Sequence, residues 1–243
     1  MRYAILSDIH ASVEALRAVL DDARAQGIDR LVCLGDVVGY HAEPDACVAL
    51  LRARAVLCVA GNHDRVAAGL AEPTDFGEVA RRAALWTRGQ LSPESRAWLH
   101  ALPLLAVVEG RFLIVHGALH PAPNADLHLS SPARVRRSLS ALRVGPWGVR
   151  LAFFGHTHRA AIHEARAWGG VRSLSLAGDP ILLGAGAYRL VNPGSVGQPR
   201  DGDPRASYAI LDAGPEALSL SVRRVPFDRE ACLAKAARAG LLM

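Results

Sequence analysis

Short apolar runs that stop abruptly at polar residues recur along this chain. Tyr3–Leu6 stops at Ser7, Asp8 and His10; Arg30–Leu34 stops at Gly35 and Asp36; Ala55–Ala60 stops at Gly61, Asn62, His63 and Asp64. Their length and their β-branched and aliphatic content predict buried strands. Between them the apolar spacing turns helical. Val13, Leu16 and Leu20 share one face, Ser12 is placed to cap, Glu14 suits the first turn and Gly27 the left-handed end. A second helix is expected from Pro44 to about Arg54, with proline in its first turn. The order β-α-β-α-β predicts a parallel sheet with right-handed crossovers, which sets the polar ends of its strands side by side.

Helical patterns continue from Gly77 to about Arg88 and after Ser92 and Pro93, with Trp86 and Trp98 on the apolar stripes and therefore in the core. Leu104–Glu109 and Arg111–Val115 flank Gly110 as a tight strand pair, the second running into His116 and Gly117. Residues 118–148 are rich in Pro, Gly and Ser, with a helix around Arg134–Leu142, and form a connection long enough to overhang a site. Leu151–Phe154 is a further strand, stopping at Gly155, His156, Thr157 and His158. Short strands are then expected near 160–164, 171–176, 181–183, 187–191, 206–211 and 217–225, before a last helix over Asp228–Ala239. The first half is thus α/β and the second mainly β. This order predicts an α/β fold in one domain over 1–243, a four-layer α/β/β/α sandwich of two packed mixed β-sheets flanked by helices.

Composition narrows the function classes. Of 243 residues, 51% are hydrophobic and 21% charged, an ordinary globular balance. No apolar run approaches the ~18–20 residues of a membrane span, and the first apolar run is too short for a signal-peptide core. The net charge of +5 comes from scattered arginines, with Lys235 the sole lysine, so no basic block marks a nucleic-acid arm. Cys33, Cys47, Cys58 and Cys232 form no C-x-x-C pair and read as buried free thiols, which fits a reducing, cytoplasmic setting. The β-rich second half offers a sheet edge at which a homo-oligomer can pair.

The polar clusters carry the chemistry. Asp8 with His10, Asp36, Asn62 with His63 and Asp64, His116, and His156 with His158 each follow an apolar run. Carboxylates, imidazoles and one amide together suit Mn²⁺, Fe, Zn²⁺, Co²⁺ or Ni²⁺ better than Ca²⁺ or Mg²⁺. Strand alternation would turn Asp8 and His10, and likewise His156 and His158, to the same side. Asp36 can bridge two ions at the ~3.5–4 Å spacing of two-metal hydrolases.

With these motifs in this order, the chain resembles the calcineurin-like metallophosphoesterases from Met1 to about Asp212. Asn192–Arg200, with its Asn-Pro-Gly-Ser start, is similar to the small bacterial and archaeal phosphodiesterases of that superfamily. The resemblance implies a β-sandwich flanked by helices and a hydrolase with two divalent cations. It assigns Asp8, His10, Asp36 and His158 to one metal and Asp36, Asn62, His116 and His156 to the other. It also implies that His63, held by a hydrogen bond from its ring N–H to Asp64, protonates the leaving oxygen after attack by a metal-bridging hydroxide. Tyr40 and His41 are expected at the rim of the site, and Arg200 either grips a substrate phosphate or is simply solvated. Asn192 is expected to serve the turn before Pro193, and His41, His100, His120, His128 and His163 match no motif.

Similar sequences run Gly-Pro-x-Pro where this chain has His41, Ala42, Glu43 and Pro44, so the substrate does not carry over with the family. The serine/threonine phosphatase pattern, an Arg-Gly pair after Gly-Asp and no Gly-His-x-His, is absent. The expected activity is hydrolysis of a small phosphate ester or nucleotide. The alternatives are a dinucleoside polyphosphate hydrolase, a nuclease, or a metal-bound scaffold without turnover.

Overall fold

A computed structural model describes residues 1–166, 170–176, 180–214 and 217–241. Strand β1 (Arg2–Leu6) is buried on both faces. Tyr3 and Ile5 enter the layer between two sheets, while Ala4 and Leu6 enter the layer beneath the helices. That two-sided burial is why the strand reads as a continuous apolar run and not as an alternation.

The first sheet has the order β3-β2-β1-β11-β12-β9. In it β2 (Arg30–Cys33) and β3 (Leu57–Cys58) run parallel to β1, while β11 (Ala206–Ala213), β12 (Leu218–Val225) and β9 (Ile181–Leu183) pair antiparallel. The second has the order β4-β5-β6-β10-β7-β8. Here β5 (Phe112–Val115), β6 (Leu151–Phe153) and β10 (Ala187–Asn192) are parallel, and β4 (Leu105–Val108), β7 (Ala161–Arg166) and β8 (Val171–Ser175) antiparallel. Both sheets are mixed, as expected, and they pack face to face through Tyr3, Val32, Phe112, Phe153 and Val191. Tyr3 and Phe112 meet edge to face at 5.1 Å, as do Phe112 and Phe153 at 5.3 Å.

Helices α1 (Val13–Ala25), α2 (Pro44–Arg52) and α5 (Pro93–His100) cover the first sheet, and α6 (Pro132–Val144) the second. Helix α4 (Glu78–Gln90) follows α3 (Asn62–Ala68), and α7 (Arg229–Arg238) lies near α1. Lys235 ties α7 in place through Glu14 at 2.6 Å and Glu43 at 2.5 Å. All four cysteines are buried and free. Trp86 and Trp98 pack against apolar clusters. No helix among the described residues is long and apolar enough to cross a membrane.

Three local expectations fail for identifiable reasons. The run Ala55–Ala60 yields only the two-residue β3, because the Ala60 N–H donates to Pro103 O outside the sheet and ends the ladder. The Asn62–Asp64 motif opens helix α3 instead of hanging free from a strand end. Ser12 stands at the start of α1 but makes no side-chain cap; its Oγ lies 3.1 Å from Cys232 Sγ.

Candidate metal centre

The polar residues are turned inward by left-handed backbone, not by strand alternation. Asp8 and His10 lie beyond β1 with φ of 53° and 52°, and His156 and His158 lie beyond β6 with φ of 66° and 57°. Asp36 follows β2 with φ 51°. Each such turn costs an L-residue roughly 1–2 kcal/mol, and strain gathered at one place marks a functional site. Backbone hydrogen bonds lock these turns: Asp8 N–H donates to Gly35 O at 3.0 Å and His10 N–H to Asp36 O at 2.9 Å. Gly61, by contrast, has ordinary extended backbone (φ −87°, ψ 173°). Glycine is needed there for space, since a Cβ would stand 2.0 Å from Asp36 Oδ1.

These turns gather the candidate ligands into two groups, Asp8 with His10 and His158, and Asp36 with His116 and His156, and a third, His10 with Asp36 and His63, lies across them. His158 Nε2 is 3.3 Å from Asp8 Oδ1, and His116 Nε2 is 3.2 Å from Asp36 Oδ2. Asp36 Oδ2 is also 3.7 Å from His10 Nε2, so this one carboxylate faces both groups. Its other oxygen accepts the His63 N–H at 2.9 Å.

The hydrogen bonds behind the histidines show what the donor set can hold. Nδ1 of His10, His116 and His158 faces the carbonyl of Val38 (3.2 Å), Leu34 (2.8 Å) and Gln198 (2.7 Å) respectively. A carbonyl only accepts, so Nδ1 carries the proton and Nε2 presents a lone pair to the centre. The Nε2 atoms of His10 and His158 then face each other at 3.1 Å. Two lone pairs at that distance repel unless a proton or a metal ion lies between them. Asn62 Oδ1 is buried with no hydrogen-bond partner, and His116 Nε2 makes no directed hydrogen bond. A buried oxygen acceptor left orphaned beside two carboxylates and four imidazoles fits divalent cations.

Electrostatics point the same way. Burial opposes charge on Asp36, but His116 and His63 hold its carboxyl well below the usual range. Burial likewise opposes charge on Asp8, yet His158 and His116 keep it ionised. Burial disfavours the His116 cation, but the Asp36 carboxylate raises His116 to about 10, so a proton competes with a metal ion for the lone pair on its Nε2. The centre thus draws in positive charge. Burial pushes His63 down to about 4.

The Asp64 to His63 hydrogen bond expected from the resemblance does not form. Asp64 accepts from Val38 N–H at 3.1 Å and Gly61 N–H at 3.0 Å, closing the first turn of α3, and His63 Nδ1 has no hydrogen-bond partner. Asp64 therefore braces the loop and helix around His63. The His63 ring is held by packing, with Phe76 at 4.7 Å and Tyr40 at 4.8 Å. Gly39, at φ +95°, leaves it room, since a Cβ there would lie 2.4 Å from His63 Nδ1.

A cavity of about 420 Å³ opens over Asp36, Asn62, His63, His156 and His158. Tyr40 and Arg200 line it, with Arg200 Nη2 3.3 Å from the Tyr40 hydroxyl. His41 does not: its ring is buried and its Nδ1 bonds His10 O at 2.8 Å, away from this cavity. The connection over 118–148 overhangs the site as expected, supplying Asp126, Leu127, His128 and Arg134. Asp126 O faces His156 Nε2 at 3.2 Å, and His128, which matches no motif, stacks on His156 at 3.6 Å. Phe76 was equally invisible in the sequence, because its loop bears no motif. Asn192 braces the Gly155–His158 loop, donating to Gly155 O at 2.7 Å while its Oδ1 takes the Gly194 N–H at 2.8 Å.

Two packed mixed sheets with strained acidic and imidazole turns at their edges define a metal-dependent phosphoesterase class. The chain matches the family described as calcineurin-like phosphoesterase superfamily domain over residues 1–215, and it belongs to that family. It is 36% identical over 227 residues to the uncharacterized protein MJ0912 of Methanocaldococcus jannaschii, covering 93% of this chain and 87% of the relative. The crystal structure of a metallophosphoesterase from Sphaerobacter thermophilus superposes with a TM-score of 0.77 at 34% identity, covering 100% of this chain and 95% of that one. The protein PH1004 of Pyrococcus horikoshii OT3 shares the fold, with a TM-score of 0.75 at 19% identity over 99% of this chain and 94% of that one.

Proposed function

We propose that this protein hydrolyses a small phosphate ester or nucleotide at a dinuclear divalent-metal centre. Asp8, His10, Asp36 and His158 would hold one ion, and Asp36, Asn62, His116 and His156 the other. The observation that carries this reading is the pair of buried donor groups sharing Asp36, with two imidazole lone pairs opposed at 3.1 Å. Two bound cations supply neutralisation of phosphoryl charge and a nucleophile available near pH 7.

The protein's own residues do the rest. The left-handed turns fix the donors in place before substrate arrives, so little reorganisation is required during reaction. Water oxygen adds to phosphorus and releases a proton, the bond to the leaving oxygen breaks with its electron pair on that oxygen, and His63, protonated beside the bound phosphate, donates its proton to it and is reprotonated from solvent. Burial keeps His63 neutral in the free site, and the negative charge of a phosphate beside it opposes that effect and favours the protonated ring. Positioned donors of this kind contribute ~10²–10⁴-fold.

The test is hydrolysis of an aryl phosphodiester and an aryl phosphomonoester by protein loaded in turn with Mn²⁺, Co²⁺, Ni²⁺ and Zn²⁺, with metal content read by elemental analysis. Asp36→Asn is expected to abolish turnover, and His63→Ala to lower kcat by ~10²-fold or more while metal content is retained. Fully loaded protein that cleaves neither ester sinks the reading.

A further inference from the structure

The cavity over the centre is larger than one phosphoryl group requires, and its volume of about 420 Å³ is that of a site for a whole small molecule. Two arginines from distant parts of the chain stand at its mouth. Arg134 comes with α6, and Arg200 with the loop after β10.

Neither arginine is neutralised. Arg134 Nη1 donates to the His128 carbonyl at 3.2 Å, and Arg200 Nη2 to Gln198 Oε1 at 2.7 Å and the Tyr40 hydroxyl at 3.3 Å. Those acceptors are neutral oxygens. They orient each guanidinium without cancelling its charge, and no carboxylate lies within ion-pair distance of either among the described residues. Arg189 with Glu164 at 2.8 Å and Arg223 with Asp22 at 2.7 Å, by contrast, each carry a carboxylate partner. The acids at the mouth leave this charge in place. Glu72 pairs with Arg88 at 3.1 Å, and Asp75 and Asp126 make no ion pair among the described residues.

His128, whose carbonyl holds Arg134, stacks on His156 at 3.6 Å, which ties the rim to the buried centre. A planar guanidinium with free N–H groups matches a phosphate bidentately. A fixed pair of them beside a centre built for one phosphoryl group has a second anionic group to receive.

We propose that Arg134 and Arg200 form a second phosphate subsite, and that the substrate class is a molecule with two linked phosphates, one at the buried centre and its neighbour at the rim. This rests on the phosphoesterase reading and narrows it.

Two measurements on metal-loaded protein test it separately from that reading. Calorimetric titration with methylenediphosphonate and with methylphosphonate reads the subsite whether or not the protein turns over. The diphosphonate is expected to bind more tightly, and Arg134→Gln with Arg200→Gln to reduce the ratio of the two affinities by about 10-fold or more. Kinetically, the same double variant is expected to lower kcat/KM for a nucleoside diphosphate ester relative to that for an aryl diester by a similar factor. Thermal melting controls for folding, and both side chains are exposed, so the variants should melt with the wild type. If both ratios are unmoved while aryl diesters are hydrolysed, the subsite is refuted and the phosphoesterase reading stands. If the diphosphonate ratio falls as expected but no ester is cleaved, the subsite survives and the hydrolytic reading fails.

Discussion

Replacing Gly61 by alanine asks whether the centre depends on backbone approach. An ideal Cβ at residue 61 would lie 2.0 Å from Asp36 Oδ1 and 2.3 Å from Asp36 N, whereas real Cβ contacts essentially never fall below 3.0 Å. Either residue 61 or Asp36 must move by about 1 Å, and neither is free to do so. Asp36 Oδ1 accepts from His63 N–H at 2.9 Å, and Gly61 N–H donates to Asp64 Oδ2 at 3.0 Å. Overpacking costs about 1–3 kcal/mol, and loss of a hydrogen bond to a buried carboxylate about 1.5–3 kcal/mol. A total of about 2.5–6 kcal/mol would lower Tm by roughly 5–24 °C in a chain of this size. Because Asp36 faces both donor groups, affinity for two equivalents of Mn²⁺ should fall as well. Differential scanning calorimetry and metal titration read the two effects. Gly77→Ala is the control, since it starts α4 with φ −61° and a Cβ there meets nothing within 4 Å. A Gly61→Ala protein that melts with the wild type and binds two ions equally well would refute the argument.

Three further outcomes follow from named contacts. Asp64→Asn should cost about 1–3 kcal/mol of stability besides activity, because an amide NH₂ would face a backbone N–H of Val38 or Gly61; a melt equal to wild type would mean that Asp64 acts on His63 alone. Chelation should lower Tm and Mn²⁺ restore it, by about 4 kcal/mol at a thousandfold excess over Kd; a chelator-insensitive melt contradicts the opposed imidazoles. The Arg223 fork and then Tyr208 lower the pKa of Asp22, so that contact stabilises fully above the unfolded carboxylate value of about 3.9 and is lost as pH falls through the lower folded value. The stability gap between wild type and Asp22→Asn should therefore close below about pH 4, and a gap constant from pH 7 to 3 would overturn the assignment.

The strands and helices were largely legible because burial writes itself into sequence as period and run length. β1, β2, β5 and β6 are covered on both faces and read as unbroken apolar segments, while α1 and α6 show one apolar stripe. Even the short strands of the second half, β7 to β12, were signalled by the Gly, Pro and Asp turns between them. The ends of elements were less legible. β3 stops where it does because Ala60 finds a partner in Pro103, which lies 43 residues away along the chain, and no local pattern encodes such a bond.

The motif residues of the centre were visible for a different reason: glycine, aspartate, asparagine and histidine after an apolar run are costly to place unless they do something there. By itself the sequence determined which polar side chains gather at the candidate centre and that parallel strands bring them to one edge. Only the tertiary structure decided how they are presented. Left-handed turns aim Asp8, His10, Asp36, His156 and His158, and carbonyls from three loops fix the four imidazoles. It also moved Asp64 from His63 to the backbone of Gly61 and Val38, and brought Phe76, His128 and Arg134 over a site they were not suspected of sharing. Periodicity is local and is written along the chain. A hydrogen bond between loops, a ring stacked on a ligand or an arginine at a cavity mouth depends on distances that exist only once the two sheets have packed.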